Sequence, residues 1–115
     1  MTPDDFRRLA LSLPGTVENS HMDHSDFRAR GKIFATLGYP NDEWGMVKLS
    51  RRDQAAWVES DASTFVPAKG AWGWHGCTCV HLKSVTIATL RLAIKLAWDN
   101  VTGRCIVIRR KKSRA

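Results

Sequence analysis

Apolar and polar side chains alternate with a period of two through residues 16–49, and turn-forming residues interrupt this alternation at short intervals. A period of two is typical of β-strands with one buried face. Gly31, Gly38 and the Pro40-Asn41-Asp42 cluster divide the stretch into short segments. The four predicted strands cover about residues 17–22, 26–30, 32–37 and 44–49. No helix-length pattern separates them, so the connections are predicted to be hairpins and the sheet antiparallel.

Helical spacing of apolar residues occurs on both sides of this stretch. Thr2, Pro3 and two aspartates favour a helix start, and the pattern predicts a helix over residues 3–13. Ser50 is expected to cap a second helix, over residues 51–60. The third helix, from Thr86 to Val101, carries an apolar stripe that should lie across the sheet.

These elements predict an α+β fold: a single-domain antiparallel sheet with helices packed on one face. Residues 62–76 are rich in glycine and are predicted to be mostly loop, followed by a further strand at 77–82. A chain of 115 residues is too short for two independent cores. We therefore predict one α+β domain over residues 1–103 and a basic C-terminal tail over 104–115, whose first part, 105–108, has the pattern of a strand.

The net charge of +7 comes mostly from this tail. Six of the 18 lysines and arginines lie in residues 104–115, which contain no acid, so residues 1–103 carry 12 basic and 11 acidic side chains. Charge alone is therefore a weak argument for nucleic-acid binding, and the argument depends on where the cations lie.

The predicted location of the protein is the cytoplasm. No apolar run approaches the roughly 18 residues that a membrane span needs, and the acidic start of the chain is unlike a secretory signal. Three cysteines without such a signal favour reduced thiols over a disulfide framework. We expect no membrane association.

One face of the predicted sheet concentrates basic side chains. If the apolar residues of the strands face the helices, then Arg28, Arg30 and Lys48 share the opposite, uncovered face, with Lys32 as a further candidate. Such side chains are suited to contacting phosphate oxygens. The alternative is a solvated face whose charges keep the sheet from aggregating.

The register of strand 32–37 depends on the turn at Gly31. A three-residue loop would turn Ile33, Ala35 and Leu37 towards the helices and leave Phe34 on the uncovered face, whereas a two-residue loop does the reverse. The inward set is more apolar in the first case, which favours the three-residue loop.

Several segments together resemble the MmcQ/YjbR family of small bacterial proteins. These are Phe-Arg-Arg-Leu-Ala-Leu-Ser-Leu-Pro-Gly (6–15), Phe-Arg-x-Arg-Gly-Lys-Ile-Phe-Ala-Thr-Leu (27–37), Lys-Leu (48–49), Gly-Ala-Trp-Gly (70–73) and Ala-Trp (97–98). The resemblance covers about residues 3–101. It implies an α+β fold similar to the frataxin/CyaY architecture, and DNA binding in which two β-hairpin wings approach the duplex.

The sequence analysis therefore favours a small protein that contacts the nucleic-acid backbone weakly and without strong sequence readout. No helix carries the Arg/Asn/Gln cluster expected in a major groove. The candidate nucleic-acid-binding residues are Arg28, Arg30, Lys32, Lys48, Arg51, Arg52, Arg109, Arg110, Lys111 and Lys112.

The alternative is a non-catalytic accessory domain that binds a protein or a small ligand. Trp72 and Trp74 lie in the glycine-rich stretch, where they are candidates for stacking on a base or closing a ligand pocket. Packing anchors under a loop are the competing interpretation.

Two histidine clusters are candidates for a chemical site. His75, Cys77, Cys79 and His81 alternate along a strand, and such a row spans about 20 Å, too far for one tetrahedral zinc ion. His21 and His24, with Asp26 close behind, have no nucleophile or phosphate loop beside them in the sequence. We expect no catalytic residues, no bound metal, no cofactor and no enzyme activity, and a metal-linked function through either cluster is the third hypothesis.

Overall fold

A computed structural model of the chain describes residues 1–103. The predicted strand at 105–108 and the tail candidates Arg109, Arg110, Lys111 and Lys112 lie outside the described residues.

The core of the fold is a six-stranded antiparallel sheet in the spatial order β1-β2-β3-β4-β6-β5. Its strands are β1 (Val17–His21), β2 (His24–Ala29), β3 (Lys32–Leu37), β4 (Trp44–Lys48), β5 (Phe65–Pro67) and β6 (Cys77–His81). The first four follow one another as hairpins. The chain then runs to the far edge of the sheet as β5 and returns between β4 and β5 as β6, so that every neighbouring pair is antiparallel.

Four helices accompany the sheet: α1 (Pro3–Leu11), α2 (Arg51–Ser60), α3 (Ala71–Trp74) and α4 (Ile87–Thr102). The α+β class is confirmed, and the three long helices lie where the apolar spacing predicted them. The short strand β5 and the short helix α3 were not predicted, because the glycines and Pro67 around them are typical of loops. No helix within residues 1–103 is long and apolar enough to cross a membrane.

Helices α1 and α4 bury one face of the sheet. Phe6 of α1 and Ile94 and Trp98 of α4 join Phe27 and Val47 of the strands in one apolar core. The Phe6 ring lies directly over Gly45 of β4, at a distance that leaves no room for a side chain there. The N-terminal end of α1 is fixed by a capping box, in which the side chains of Thr2 and Asp5 accept hydrogen bonds from each other's backbone N–H groups.

The turn between β2 and β3 differs from the prediction. Ala29 pairs with Lys32, so the turn has two residues, Arg30 and Gly31, both with positive φ. Such a conformation suits the tight turns of two-residue hairpins. The predicted three-residue loop is therefore wrong.

A β-bulge in β3 explains why the alternation was misleading. Phe27 pairs with Ala35 but Arg28 pairs with Ile33, so Phe34 is an extra residue in the strand. Ala35 joins the core below the helices as predicted. Ile33 is instead placed beside Arg28 on the other face, and Phe34 is completely buried.

Candidate functional site

The sheet face opposite α1 and α4, called the outer face below, carries an apolar cluster of its own. Met46, Cys77 and Cys79 form this cluster with Ala68, and the partly buried Trp44 packs against it. The helix α3 packs against β6 and stands beside this cluster. The outer face is thus partly covered, and α3 forms a wall along it.

A cavity of about 350 Å³ lies between α3 and the outer face. Its floor is built from side chains of β3, β4 and β6, among them Ile33, Met46 and Cys77. Trp72 and His75 of the α3 region form one wall. His21 of β1 and Lys48 of β4 also line the cavity, and the strand register places them towards opposite ends of the sheet strands.

The position of α3 depends on close backbone packing at two glycines. A Cβ atom at Gly73 would collide with the carbonyl oxygen of Ala68, and one at Gly76 would collide with that of Leu49. The buried Gln54 of α2 adds two hydrogen bonds, because its Nε2 donates to the carbonyl oxygens of Gly73 and Cys77, each at 3.1 Å. The glycine-rich stretch is therefore a fixed element that holds the wall of the cavity.

The structure separates the two candidate tryptophans. Trp72 is 53% exposed and lines the outer-face cavity. Trp74 is 66% exposed and lies in a neighbouring groove, where the Arg51 guanidinium stacks 4.6 Å from the centre of its ring. Only Trp72 is placed to contact a molecule in the cavity.

A polar cluster is built around Asp26, whose side chain is completely buried. Arg28 donates from Nε to Asp26 Oδ1 at 2.7 Å and from Nη2 to Oδ2 at 3.1 Å. His21 Nδ1 lies 2.7 Å from the same Oδ2. The hydrogen bonds from Arg28, followed by the weaker effect of His21, hold the pKa of Asp26 below its ordinary value although burial opposes them. The pKa of Arg28 is raised in turn by Asp26.

The predicted basic face is not assembled as expected. Arg28 lies on the outer face but is paired with Asp26, which points to the same face two residues earlier. Arg30 belongs to the turn rather than to a strand, and its Nη1 donates to the carbonyl oxygen of Thr102 at the end of α4. Lys48 is exposed and lines the cavity, which neither Arg28 nor Arg30 does. Arg28 and Lys48 therefore both lie on the outer face, but Arg28 is neutralised by Asp26 and Arg30 lies in the turn.

The YjbR family model matches residues 11–100 of the chain. The chain belongs to the YjbR family. It is also similar to the crystal structure of the Deinococcus radiodurans protein DR2400, family-model domain DUF419, with a TM-score of 0.76 and 18% sequence identity. The alignment covers 88% of this chain and 78% of that one. At this identity the likeness shows the fold alone. A search of the curated proteins gives no match.

Among the described residues of this YjbR-family chain, Lys48 is the lysine that lines the cavity. It lies on β4 opposite Cys77 of β6, at the edge of the apolar floor. Within residues 1–103 it has no acidic partner. The other candidates are spread over the surface: Lys32 starts β3, and Arg51 and Arg52 begin α2, all three exposed.

The two cysteines of the outer-face apolar cluster, Cys77 and Cys79, are both buried. Burial raises the pKa of Cys79 to about 11. Burial also raises the pKa of Cys77, although nearby Lys48 opposes this. Both thiols are therefore protonated and behave as small apolar groups.

The side chains of the alternating histidine-cysteine row lie in different surroundings. His75 lines the cavity, whereas His81 Nδ1 lies 2.7 Å from the hydroxyl oxygen of Ser84. Among the described residues, no three His, Cys, Asp or Glu side chains converge as a metal site would require. The His24 ring packs edge-on against Tyr39, away from the Asp26 cluster.

The ion pair of Asp26 with Arg28 follows from their alternation, since opposite charges two residues apart on a strand share a face. The wall formed by α3 was missed from the sequence. The spacing of Gly70, Gly73 and Gly76 was a signal for it, because glycines also mark close backbone approach. The bulge at Phe34 leaves no comparable trace in the sequence.

Proposed function

We propose that this YjbR-family protein is a non-catalytic binding module that takes a small, largely apolar molecule with an acidic group into the outer-face cavity. The observation that carries the proposal is an apolar cavity of about 350 Å³ with one unpaired lysine at its edge. This volume lies in the range of about 300–1,000 Å³ that is usual for small-molecule sites.

The apolar part of the ligand is the first element of this proposal. Ile33 and Met46 of the floor and Trp72 of the wall face the same space. About half of Trp72 is in contact with solvent, so a ligand that covers its ring removes apolar surface from water. Burial of this kind contributes about 25 cal/mol for each Å², and an aromatic ligand would also stack on the indole.

The acidic group of the ligand is the second element. Lys48 carries a positive charge beside a largely apolar surface, and no described carboxylate neutralises it. Hydrogen bonds between charged partners are stronger than neutral ones. A carboxylate at this edge would therefore gain both orientation and affinity.

Calorimetric titration with 2-naphthoate and with its neutral amide tests this proposal. We expect saturable binding of both, with the acid preferred, because only the acid pairs with Lys48. Lys48→Met should abolish the preference, and Trp72→Ala should weaken both ligands. Lys69→Met is the matched control, since Lys69 is exposed and does not line the cavity. Absence of saturable binding of either compound to the wild-type protein would contradict the proposal.

We also propose weak binding to the DNA backbone as a second function, supported by the sequence of residues 104–115. Six basic and no acidic side chains fall in these 12 residues. The exposed Lys32, Arg51 and Arg52 add charge within the described part. Backbone contacts of this kind need no shared sheet face.

Filter binding of random duplex DNA at several salt concentrations tests the second proposal. Five phosphate contacts would give a slope of about −4.5 for log K against log salt. Truncation after Gly103 should flatten this slope and weaken binding sharply. No salt-dependent association at low ionic strength would refute it, as would an unchanged slope in the truncated protein.

A further inference from the structure

We infer that the cavity recognises a second polar group, a hydroxyl or N–H donor that bonds to His21 at the end of the ligand remote from its acid. The ligand class is then an elongated apolar acid with a donor at its far end. This inference rests on the proposed ligand-binding function, and it adds the side chain that selects among apolar acids.

The hydrogen-bonding state of His21 is fixed by Asp26. The lowered pKa of Asp26 keeps this group ionised at neutral pH, so its oxygens can only accept hydrogen bonds. The hydrogen between the two side chains is therefore carried by His21 Nδ1. In the neutral imidazole this leaves Nε2 as an acceptor with a free lone pair.

Arg28 makes this arrangement rigid. It binds Asp26 through two nitrogens and so prevents the carboxylate from turning away from His21. Because Asp26 is completely buried, its carboxylate has no solvent-exposed position to turn into. The Arg28–Asp26 pair thus holds the imidazole of His21 in one orientation.

The Nε2 atom of His21 is available to a ligand. Within residues 1–103, the Asp26 contact is the hydrogen bond that the His21 ring makes. The same side chain lines the cavity and is only about a quarter exposed, at 27%. An acceptor in this setting is satisfied by water when the cavity is empty and by a donor of the ligand when it is filled.

The separation of His21 and Lys48 sets the length of the ligand. A row of paired residues, Asn19, Asp26, Thr36 and Met46, crosses β1 to β4; His21 lies two residues to one side of this row and Lys48 two residues to the other. Three inter-strand spacings and four residues of strand rise therefore separate their backbones by about 20 Å. Both side chains project into the space between them, which Ile33 and Met46 make apolar. A fused two-ring acid with its donor opposite the carboxylate matches this pattern.

Three related probes test the inference: 6-hydroxy-2-naphthoate, 6-methoxy-2-naphthoate and 2-naphthoate. The methoxy compound keeps an oxygen at the same position but has no hydrogen to donate. We expect the hydroxy acid to bind the wild-type protein about tenfold more tightly than either of the others, which corresponds to about 1.4 kcal/mol. His21→Phe should remove this preference while leaving the affinity for 2-naphthoate similar.

His24→Phe is the matched control. His24 is the partner of His21 across the hairpin turn but does not line the cavity, so the preference for the hydroxy acid should persist. A second measurement needs no variant: the nitrogen chemical shift of His21 Nε2 should move on addition of the hydroxy acid and stay unchanged with 2-naphthoate.

The outcomes separate the two proposals. Equal affinity of the wild-type protein for all three acids would overturn the role of His21 and leave the proposed function standing. A preference that survives in His21→Phe, or an unmoved Nε2 shift, would do the same. Failure of every acid to bind would overturn the proposed function and this inference together.

Discussion

Asp26 and Arg28 lie two residues apart on β2 and form a two-point ion pair on the outer face, with Arg28 Nε 2.7 Å from Asp26 Oδ1 and Nη2 3.1 Å from Oδ2. This pair changes what the basic residues of the chain can do. The pair neutralises Arg28, which the strand pattern predicted to contact phosphate. It also orients His21 towards the cavity. The outer face consequently carries less unpaired positive charge than the strand pattern predicted.

The buried pair should be important for stability. In Asp26→Asn the buried side chain loses its charge and Arg28 loses its ionic partner. We expect the free energy of unfolding to fall by roughly 1–3 kcal/mol, the cost of leaving such groups poorly satisfied. Urea denaturation at neutral pH measures the change.

Asp4→Asn is the control for this comparison. Asp4 also pairs with an arginine, Arg7 at 2.8 Å, but its side chain is 78% exposed. The change in the free energy of unfolding should stay within about 0.5 kcal/mol. Equal urea midpoints for the two variants would show that burial of Asp26 adds nothing.

The carboxylate of Asp26 should also make the free energy of unfolding depend on pH. The pKa of Asp26 in the folded protein is below its ordinary value of 3.8, so the unfolded state binds a proton first as the pH falls. Its stabilising contribution is complete above the unfolded value and is lost as the pH falls through the folded value. The free energy of unfolding should therefore decline below about pH 5.

Asp26→Asn should make this decline shallower without removing it. The pKa values of Asp5 and Asp61 are also lowered, chiefly by hydrogen bonds from Thr2 and from Ser63 and Thr64 respectively. Both groups remain in the variant and keep part of the slope. A variant with the same acid dependence as the wild-type protein would contradict the role assigned to Asp26.

The sequence predicted the parts of the fold that depend on periodicity. The apolar spacing of α4 and the alternation in β4 each report directly which side chains are buried, and both elements are where they were expected. The fold class followed from these patterns, whereas the family followed from the resemblance of several segments, among them Arg-Gly-Lys-Ile-Phe-Ala-Thr-Leu.

The candidate site was less predictable because it depends on exceptions to periodicity. The bulge at Phe34 reverses the face of Ile33, and the turn at Arg30 sends that side chain towards α4. Both effects come from local backbone geometry that a pattern of side chains does not encode. Trp72 was a candidate from the sequence and lines the cavity, but the helix that positions it was not predicted.

Packing between α1 and β4 should be sensitive to one methyl group. A Cβ atom at Gly45 would lie 2.6 Å from the Phe6 ring, so Gly45→Ala forces the ring or the strand to move. We expect a loss of roughly 1–3 kcal/mol in the free energy of unfolding. Thermal or urea unfolding measures it.

A double-mutant cycle with Phe6→Leu tests whether this contact is the cause. The smaller leucine leaves room for the new methyl group, so Gly45→Ala should cost less in the Phe6→Leu background than in the wild-type protein. The expected coupling is about 0.5–3 kcal/mol. Additive effects of the two substitutions would place the strain elsewhere.

Gln54 connects stability to ligand binding. Its Nε2 donates to the carbonyl oxygens of Gly73 and Cys77, which join α2 to the wall and the floor of the cavity. Gln54→Met keeps the length of the side chain but removes both hydrogen bonds, so that the carbonyl oxygens of Gly73 and Cys77 keep only their backbone donors, the N–H groups of Gly76 and Ala68. We expect the free energy of unfolding to fall by roughly 1–3 kcal/mol, as measured in urea.

The same substitution should weaken the binding of 2-naphthoate several-fold, because Trp72 is then held less firmly over the floor. Glu59→Met is the control, since Glu59 is exposed on the same helix and its replacement should change neither quantity appreciably. If Gln54→Met lost stability but bound 2-naphthoate as tightly as the wild-type protein, the wall of the cavity would not depend on this anchor. Its position would then have to be fixed by the close backbone packing at Gly73 and Gly76 alone.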